Sequence, residues 1–211
     1  MPRLLNPLLV LLVFACTVPA LAGPTVLFLG DSLTAGLGVE PEEAYPYLLG
    51  ERLVRDGFAE ARMINGGISG STSASAPGRL RWYARVKPDV LFLALGANDG
   101  LRGLTVAELE KNLEAVIVEA RRQGMRVLLA GMELPPNYGD VYTADFRRVY
   151  ADLAGRHGLP LLPFLLEGVG GVAELNQADG IHPNAKGHRR IADHVFPFLR
   201  DQLRAAPPVQ P

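Results

Sequence analysis

The chain has 211 residues, of which 48% are hydrophobic and 20% are charged, and its 21 basic and 22 acidic side chains give a formal net charge of -1. This length and composition are typical of one folded domain with a single core and exclude an intrinsically disordered protein. Because the charges are balanced and interspersed, the chain lacks the basic stripe that a phosphate backbone requires, and the sequence predicts no nucleic-acid partner.

The first 22 residues differ in character from the rest of the chain. Arg3 is their only charged residue, and positions 8–14 form an unbroken apolar run. That run is too short to span a bilayer, and Ala20-Leu21-Ala22 supplies the small alternating residues of a signal-peptidase site. The sequence therefore predicts a signal peptide over 1–22, cleavage between Ala22 and Gly23, and a periplasmic or secreted protein with no transmembrane span.

Two alternatives for this segment stay open. It could remain attached as an N-terminal anchor, or Cys16 could be lipidated, although Phe14 is bulky for the position two before such a cysteine. Cys16 is the only cysteine. A chain cleaved after Ala22 therefore has no thiol for disulfides, thiolate catalysis or a cysteine metal site.

Beyond this segment, short apolar runs alternate with longer segments of helical period. The pattern predicts a doubly wound α/β fold, in which helices cover both faces of parallel strands. The predicted strands cover residues 26–29, 62–64, 90–95, 127–130 and 161–164. No repeat or linker divides the chain, so we predict one domain over 23–204 and a disordered tail over 205–211.

Ser32 directly follows the first predicted strand, in the sequence Gly30-Asp31-Ser32-Leu33. The carboxyl ends of parallel strands are where ligands bind, and a helical turn after Ser32 would direct backbone amides at an anion beside its oxygen. Two other interpretations exist. Ser32 could be a helix N-cap, the commonest role of a serine after a strand, or part of a phosphate loop, but residues 30–38 lack the Lys followed by Ser or Thr that such a loop needs.

Polar and glycine-rich segments also follow the second and third strands. Residues 65–70 read Asn-Gly-Gly-Ile-Ser-Gly, and residues 96–99 read Gly-Ala-Asn-Asp. Amide donors in such segments can stabilise the oxyanion of acyl transfer by about 3 kcal/mol each, although each glycine or asparagine alone is also an ordinary turn residue. We expect Asp31 and Asp99, which adjoin these positions, to organise their loops through hydrogen bonds.

Three later segments have the period of amphipathic helices. The first begins with the capping-box sequence Thr105 to Glu108 and ends near Gly124, and Pro197 is expected to kink or break the last. We interpret their apolar stripes as core packing. The stripes comprise Leu109, Leu113, Val116, Ile117 and Ala120; Tyr142, Phe146, Val149, Tyr150 and Leu153; and Ile191, Val195, Phe198 and Leu199.

Near the C-terminal end, Asp179 precedes His182 by three residues, a spacing that can bring their side chains together. A serine hydroxyl needs a neutral histidine to accept its proton, and an aspartate holds that histidine in the useful tautomer. Pro183 disfavours helix at His182, and Asn184 can cap a following helix. Without Ser32, a surface Asp and His at a helix start would be the favoured interpretation.

Taken in order, these motifs resemble the SGNH or GDSL hydrolase family over nearly all of the chain after residue 22. The resemblance implies a nucleophile at Ser32, a triad completed by Asp179 and His182, and an oxyanion hole formed by Ser32, Gly70 and Asn98. It also implies a flavodoxin-like three-layer α/β/α sandwich with a five-stranded parallel sheet.

Residues 30–36, 97–103 and 134–139 further resemble the bacterial periplasmic branch of that family, which acts as lysophospholipase, acyl thioesterase and arylesterase. In that branch the last segment is a mobile loop at the acyl site, which implies that Asn137 and Tyr138 bind substrate. Ala97 departs from the glycine more usual before the asparagine donor.

The sequence predicts a serine esterase that acts through an acyl-enzyme on Ser32, and the resemblance implies that its substrates are fatty acyl esters and thioesters. We expect a monomer with no cofactor. We also expect no metal, because His157, His188 and His194 have no cluster of ligands around them. A carbohydrate O-deacetylase and a non-catalytic lipid-binding module are the alternatives.

Overall fold

A computed structural model of the protein describes residues 23–205. The predicted signal peptide and residues 206–211 of the predicted tail lie outside this range. The strands are β1 (Thr25–Gly30), β2 (Arg62–Asn65), β3 (Val90–Ala94), β4 (Arg126–Ala130) and β5 (Leu161–Leu162). The α-helices are α1 (Ser32–Ala35), α2 (Tyr45–Arg55), α3 (Ala76–Tyr83), α4 (Ala97–Leu101), α5 (Val106–Arg122), α6 (Asp140–His157) and α7 (Ala185–Arg204).

The five strands form one parallel sheet in the order β2-β1-β3-β4-β5. Every predicted strand is present within one or two residues of its expected bounds. The chain leaves β1 to build β2 on one side and then crosses back over it to build β3 on the other. This is the flavodoxin-like order with its reversal point between β1 and β3, and the predicted fold class is confirmed.

Helices cover both faces of the sheet and make it the middle of three layers. One group consists of α2 packed against α7, and the other places α5 against α3 and α6. The side chains of β1 and β3 between them are almost wholly buried. The predicted helical stripes join or pack against the same core, with the exception of Tyr142, which is only half-buried. Strands this apolar are stable only when both of their faces are covered.

Two edge strands differ from the sequence-based prediction, one in burial and one in length. Arg62 and Asn65 of β2 are exposed, and Met63 and Ile64 between them are only half-buried, because β2 is an edge strand with a neighbour on one side. At the other edge, β5 ends at Leu162 and not at the predicted residue 164. Pro163 follows it and has no backbone N–H to donate to a neighbouring strand.

The helix ends follow the sequence signals with two corrections. The Glu108 amide donates to Oγ1 of Thr105 (3.2 Å), as a capping box requires, but the Glu108 carboxylate accepts from the Thr105 hydroxyl (2.9 Å) and not from its amide. Helix α7 continues through Pro197 without a break. Since Pro197 and Asp193 lie on the solvent side, water can satisfy the carbonyl that the proline leaves without a donor. No helix within residues 23–205 combines the length and apolar character that crossing a membrane requires.

Candidate active site

The reversal point of the sheet brings the ends of β1 and β3 side by side. One residue separates β1 from Ser32, which starts α1, and two residues separate β3 from Ala97, which starts α4. Connections that leave neighbouring strands toward opposite faces open a crevice between them, which is where open α/β sheets bind ligands. The polar segments singled out in the sequence therefore converge on one crevice.

The turn after β1 presents the Ser32 hydroxyl without using it as a cap. Asp31 occupies the N-cap position of α1 and accepts the Leu33 amide at 3.0 Å, so the N-cap interpretation of Ser32 is wrong. Gly30 is required just before it, since a methyl group there would lie 1.9 Å from Oγ1 of Thr34. The Ser32 side chain is thus free to interact with the crevice.

Asp179 and His182 lie in a tight loop that runs into α7. Oδ1 of Asp179 accepts the Ile181 amide at 2.9 Å and the His182 amide at 3.0 Å, while Gly180 takes up a left-handed conformation with φ +70. Asn184 then caps α7 by accepting the amides of Lys186 and Gly187. The histidine is therefore fixed between two side-chain caps, as the sequence suggested for Asn184.

A chain of hydrogen bonds links the three predicted triad residues. Nδ1 of His182 lies 2.6 Å from Oδ2 of Asp179, and Nε2 lies 2.9 Å from Oγ of Ser32. The amide of His182, then its ring, and then the Ile181 amide bind the Asp179 carboxylate and lower its pKa from 3.8 to about 2. An ionised carboxylate can only accept, so Nδ1 of His182 donates to it and Nε2 is left to accept the Ser32 proton.

Asn98 lines this crevice from helix α4, and Gly70 lies in the neighbouring loop after β2 but is not a lining residue. Asn98 lies in the first turn of α4, where its Nδ2 donates to the Ser71 carbonyl at 3.0 Å, and an amide nitrogen carries a second hydrogen for another acceptor. Gly70 has φ +76, a conformation that favours glycine. Arg102 donates to the Gly70 carbonyl at 2.9 Å. The two residues are thus joined through neighbouring backbone groups.

A cavity of about 540 Å³ opens beside Ser32 and His182, and Asn98 lines it as well. Its walls come mainly from the loops after β4 and β5 and carry one carboxylate, Glu133, but no Lys or Arg. The apolar side chains that line it are Leu33, Leu101, Met132, Leu134, Phe164, Leu166 and Ile181. This lining suits a hydrocarbon group next to the polar triad.

The loop over residues 134–139 contributes to this cavity, but not through the two residues that were predicted to bind substrate. Pro135 and Pro136 line the cavity, whereas Asn137 is exposed and neither it nor Tyr138 is a lining residue. The Tyr138 hydroxyl instead donates to the Leu101 carbonyl at 3.1 Å. Tyr138 therefore ties the loop to the end of α4, and the substrate-binding role of both residues stays a prediction.

Sequence reasoning missed Arg79, a half-buried side chain on α3. Its Nη2 donates to the carbonyls of Gly30, at 2.8 Å, and of Gly66. These carbonyls belong to the last residue of β1 and to the loop that carries Gly70, so Arg79 holds the end of β1 and that loop against one helix. No local motif marks this role, because the partners are backbone atoms that only the fold brings together.

The other histidines have neighbours of their own. Nε2 of His157 lies 2.8 Å from Glu114, and Nε2 of His194 lies 2.9 Å from the Phe164 carbonyl. His188 is buried and stacks on Tyr45, and burial lowers its pKa to about 4. Within residues 23–205, no three His, Cys, Asp or Glu side chains are grouped as metal ligands would be.

Several known proteins are similar to this chain in sequence and in fold. Esterase TesA of Pseudomonas aeruginosa is 44% identical over 86% of this chain and 90% of its own length. Thioesterase 1/protease 1/lysophospholipase L1 of Escherichia coli K12 is 37% identical over 87% of each chain. A further relative is the psychrotrophic esterase EstA from Pseudoalteromonas sp., whose crystal structure was determined with monoethylphosphonate as inhibitor. It matches this fold with a TM-score of 0.81 at 31% sequence identity, and the match covers 85% of this chain and 98% of EstA. The model of the GDSL-like lipase/acylhydrolase family matches residues 28–190, and the chain belongs to that family.

Proposed function

We propose that the protein is a serine esterase that hydrolyses fatty acyl esters and thioesters, with Ser32 as nucleophile, His182 as general base and acid, and Asp179 as the group that orients His182. The observation that carries the proposal is the pair of hydrogen bonds, 2.6 and 2.9 Å long, that joins these three side chains beside an apolar cavity. Membership of an acylhydrolase family supports it.

Acylation begins when Nε2 of His182 accepts the Ser32 proton as Oγ attacks the carbonyl carbon of the substrate. The ionised Asp179 stabilises the imidazolium that forms. The tetrahedral intermediate then collapses, its bond to the alkoxide or thiolate breaks, and His182 gives the proton to that leaving group. Water attacks the resulting acyl-enzyme by the same proton route, which releases the carboxylic acid and restores Ser32.

The negative charge that develops on the substrate oxygen is assigned to three donors, namely the amides of Ser32 and Gly70 and Nδ2 of Asn98. Donors that are already oriented stabilise the transition state without the reorganisation that water would need. The bond from Asn98 to the Ser71 carbonyl supports this assignment, because it fixes the side-chain amide before substrate arrives.

The cavity lining favours a hydrocarbon acyl group over a sugar. Most of its apolar side chains belong to the loops after β4 and β5, and a carbohydrate ester would leave its hydroxyls against them without partners. A carbohydrate O-deacetylase is therefore the weaker alternative. A non-catalytic lipid-binding module is also weaker, because it would have no use for a serine hydroxyl bonded to a histidine.

The proposal includes export and action as a monomer on small-molecule or lipid esters without nucleic acid. Export is supported by the composition of residues 1–22, with one charge, an apolar run and Ala20-Leu21-Ala22. The balanced net charge of -1 supports the exclusion of nucleic acid as a partner.

The test combines covalent labelling with a substrate panel. A fluorophosphonate should add one group to the purified protein, as measured by intact mass, and should not label Ser32→Ala. As a matched control, Ser75→Ala removes an exposed serine hydroxyl that donates to the Thr72 carbonyl and should label like the parent protein. Labelling of Ser32→Ala to the same extent would refute the nucleophile.

The substrate panel contains p-nitrophenyl esters of increasing acyl length, an acyl thioester, a lysophospholipid and an acetylated sugar. We expect kcat/KM to rise from acetyl to longer chains, because each buried methylene contributes up to about 0.8 kcal/mol to transition-state binding. A preference for the acetylated sugar would identify a deacetylase, and an unlabelled protein without turnover would identify a binding module.

A further inference from the structure

The proposed oxyanion hole takes its donors from loops that the sheet does not bring together. Gly70 follows β2 and Asn98 follows β3, and β1 separates these two strands in the sheet. The β2 loop must therefore cross the end of β1 to reach α4. Hydrogen bonding within the sheet cannot fix the distance between the two donors, so some other contact has to do so.

Asp99 supplies that contact from the first turn of α4. Its Oδ1 accepts the Ser73 hydroxyl at 2.5 Å and its Oδ2 accepts the Ser73 amide at 2.8 Å. Both residues are buried, with Asp99 2% exposed and Ser73 fully inaccessible. Both oxygens of the Asp99 side chain are thus used on Ser73, and burial protects these hydrogen bonds from competition with water.

The Ser73 hydroxyl is held on its other side as well. Nδ2 of Asn112, on α5, donates to the Ser73 oxygen at 3.0 Å, so this hydroxyl donates to Asp99 while it accepts from Asn112. The hydroxyl therefore has one available orientation. The end of the β2 loop is anchored both to α4 and to the long helix that follows it.

We infer that Asp99 is a positioning residue, which sets the oxyanion geometry by holding the β2 loop at a fixed place relative to Asn98. Asn98 and Asp99 are consecutive in α4, and Ser71 and Ser73 are close in the β2 loop, so the bonds Asn98 to Ser71 and Asp99 to Ser73 cross-link the same two segments. The side-chain amide of Asn98, which forms the first link, is also an oxyanion donor in the proposed chemistry. Asp99, which forms the second link, donates nothing to the substrate, so its contribution can be measured separately.

This inference rests on the proposed esterase activity. Asp99→Asn keeps the shape of the side chain but offers one acceptor oxygen to two donors and sets an NH2 group against the other. If the oxyanion donors are no longer held in place, the stabilisation of the transition state should weaken while the affinity for substrate stays the same. We expect kcat to fall about 10- to 100-fold with KM within about twofold, comparable to or less than the roughly 100-fold loss expected for Asn98→Ala, which deletes a donor.

A purely structural role for Asp99 is distinguished by inhibitors. A long-chain trifluoromethyl ketone forms a tetrahedral adduct with a serine and places an oxyanion in the hole, whereas the alkanol of the same length occupies only the cavity. For Asp99→Asn, the inhibition constant of the ketone should rise by the same factor as kcat/KM falls, and that of the alkanol should not change.

Asp89→Asn is the matched control. Oδ2 of Asp89 accepts the Thr25 amide at 2.7 Å, at the opposite end of the strands from the crevice. This variant should lower the melting temperature and leave kcat and both inhibition constants unchanged. If Asp99→Asn does not fold, Ser73→Ala takes its place and should lower kcat by about threefold or more, because the Ser73 amide bond remains.

The inference is overturned if the substituted protein is folded and keeps kcat within twofold, or if KM alone rises. It is also overturned if the ketone and the alkanol weaken by equal factors. Ser32→Ala in the same assays separates this result from failure of the proposed function, since turnover by Ser32→Ala would refute the esterase mechanism itself.

Discussion

Asp31 occupies the N-cap position of α1 and so leaves the Ser32 hydroxyl to His182. One of its oxygens accepts the Leu33 amide, and the other is buried without a hydrogen-bond partner among the described residues. Burial is the largest influence on this carboxyl and raises its pKa from 3.8 to about 6, against the opposing effects of the Leu33 bond, His182 and Arg79. A carboxylate at this place therefore carries a desolvation cost near neutral pH.

That cost makes the stability of the protein depend on pH in a defined direction. Because the pKa of Asp31 is higher in the folded state, its contribution to folding is fully present below about pH 3.8 and is lost as the pH rises through about 6. The free energy of unfolding of Asp31→Asn, relative to that of the parent protein, should therefore rise by about 2–3 kcal/mol as the pH increases from 4 to 8. Urea denaturation at the two pH values measures the difference.

Asp31→Ser provides the comparison for this measurement. Serine also caps helices, so its absolute stability can differ from that of the asparagine variant, but it removes the same ionisation. Both variants should share one pH dependence relative to the parent protein. A difference that is independent of pH would mean that Asp31 does not titrate in this range.

Among the elements, the segment from Leu134 to Gly139 connects the cavity wall to α4. Its prolines 135 and 136 line the cavity, and within residues 23–205 its side-chain hydrogen bond to α4 comes from the Tyr138 hydroxyl to the Leu101 carbonyl. Leu101 lines the cavity too. This hydrogen bond therefore helps to hold one wall of the cavity, which is the proposed acyl site.

Tyr138→Phe removes this bond and keeps the ring. We expect a long acyl chain to contact this wall and an acetyl group not to reach it. The value of kcat/KM for a dodecanoyl ester should therefore fall by about threefold or more while the value for an acetyl ester changes little. Tyr142→Phe is matched to it, since the Tyr142 hydroxyl donates to the Leu104 carbonyl outside the cavity. Equal losses at every chain length would contradict a role in the acyl site.

The elements differ in how far their sequences predict them. Strands β1, β3 and β4 were predictable because continuous apolar runs leave them no stable place except the middle of a covered sheet. The role of Asn184 was predictable from local capping chemistry. Arg79 and Ser73 were not, because their partners are backbone or side-chain atoms far away in sequence, and no periodicity or spacing encodes such contacts. The continuity of α7 at Pro197 depends on which face meets water, and that is set by packing against α2.

At the scale of the whole molecule, the predicted signal peptide over residues 1–22 should be removed, whereas the domain should remain. We expect protein exported by a bacterial host to begin at Gly23, because the apolar run directs export and the small residues at 20 and 22 allow cleavage. Intact-mass measurement checks this. Ala22→Phe should be exported but not cleaved there, since a bulky side chain next to the scissile bond blocks the peptidase.

Two results would contradict the predicted leader. One is an exported parent protein that still carries residues 1–22, which would indicate an uncleaved anchor. The other is a mass increase that matches a lipid on Cys16. Either outcome would change how the protein is held in its compartment and would leave the proposed chemistry of Ser32 and His182 untouched.

The hydrogen bond between Ser32 and His182 joins positions 150 residues apart. His182 is set in place by the loop that leads into α7, and α7 packs against α2, where Arg52 and Asp193 pair at 2.7 Å. Ribosomes and export channels deliver a chain from its N-terminus, so the nucleophile emerges long before its base. An incomplete chain therefore carries a serine of ordinary reactivity. The proposed esterase can become active only after the segment around His182 and the last helix have joined the fold, so an unfinished chain hydrolyses nothing.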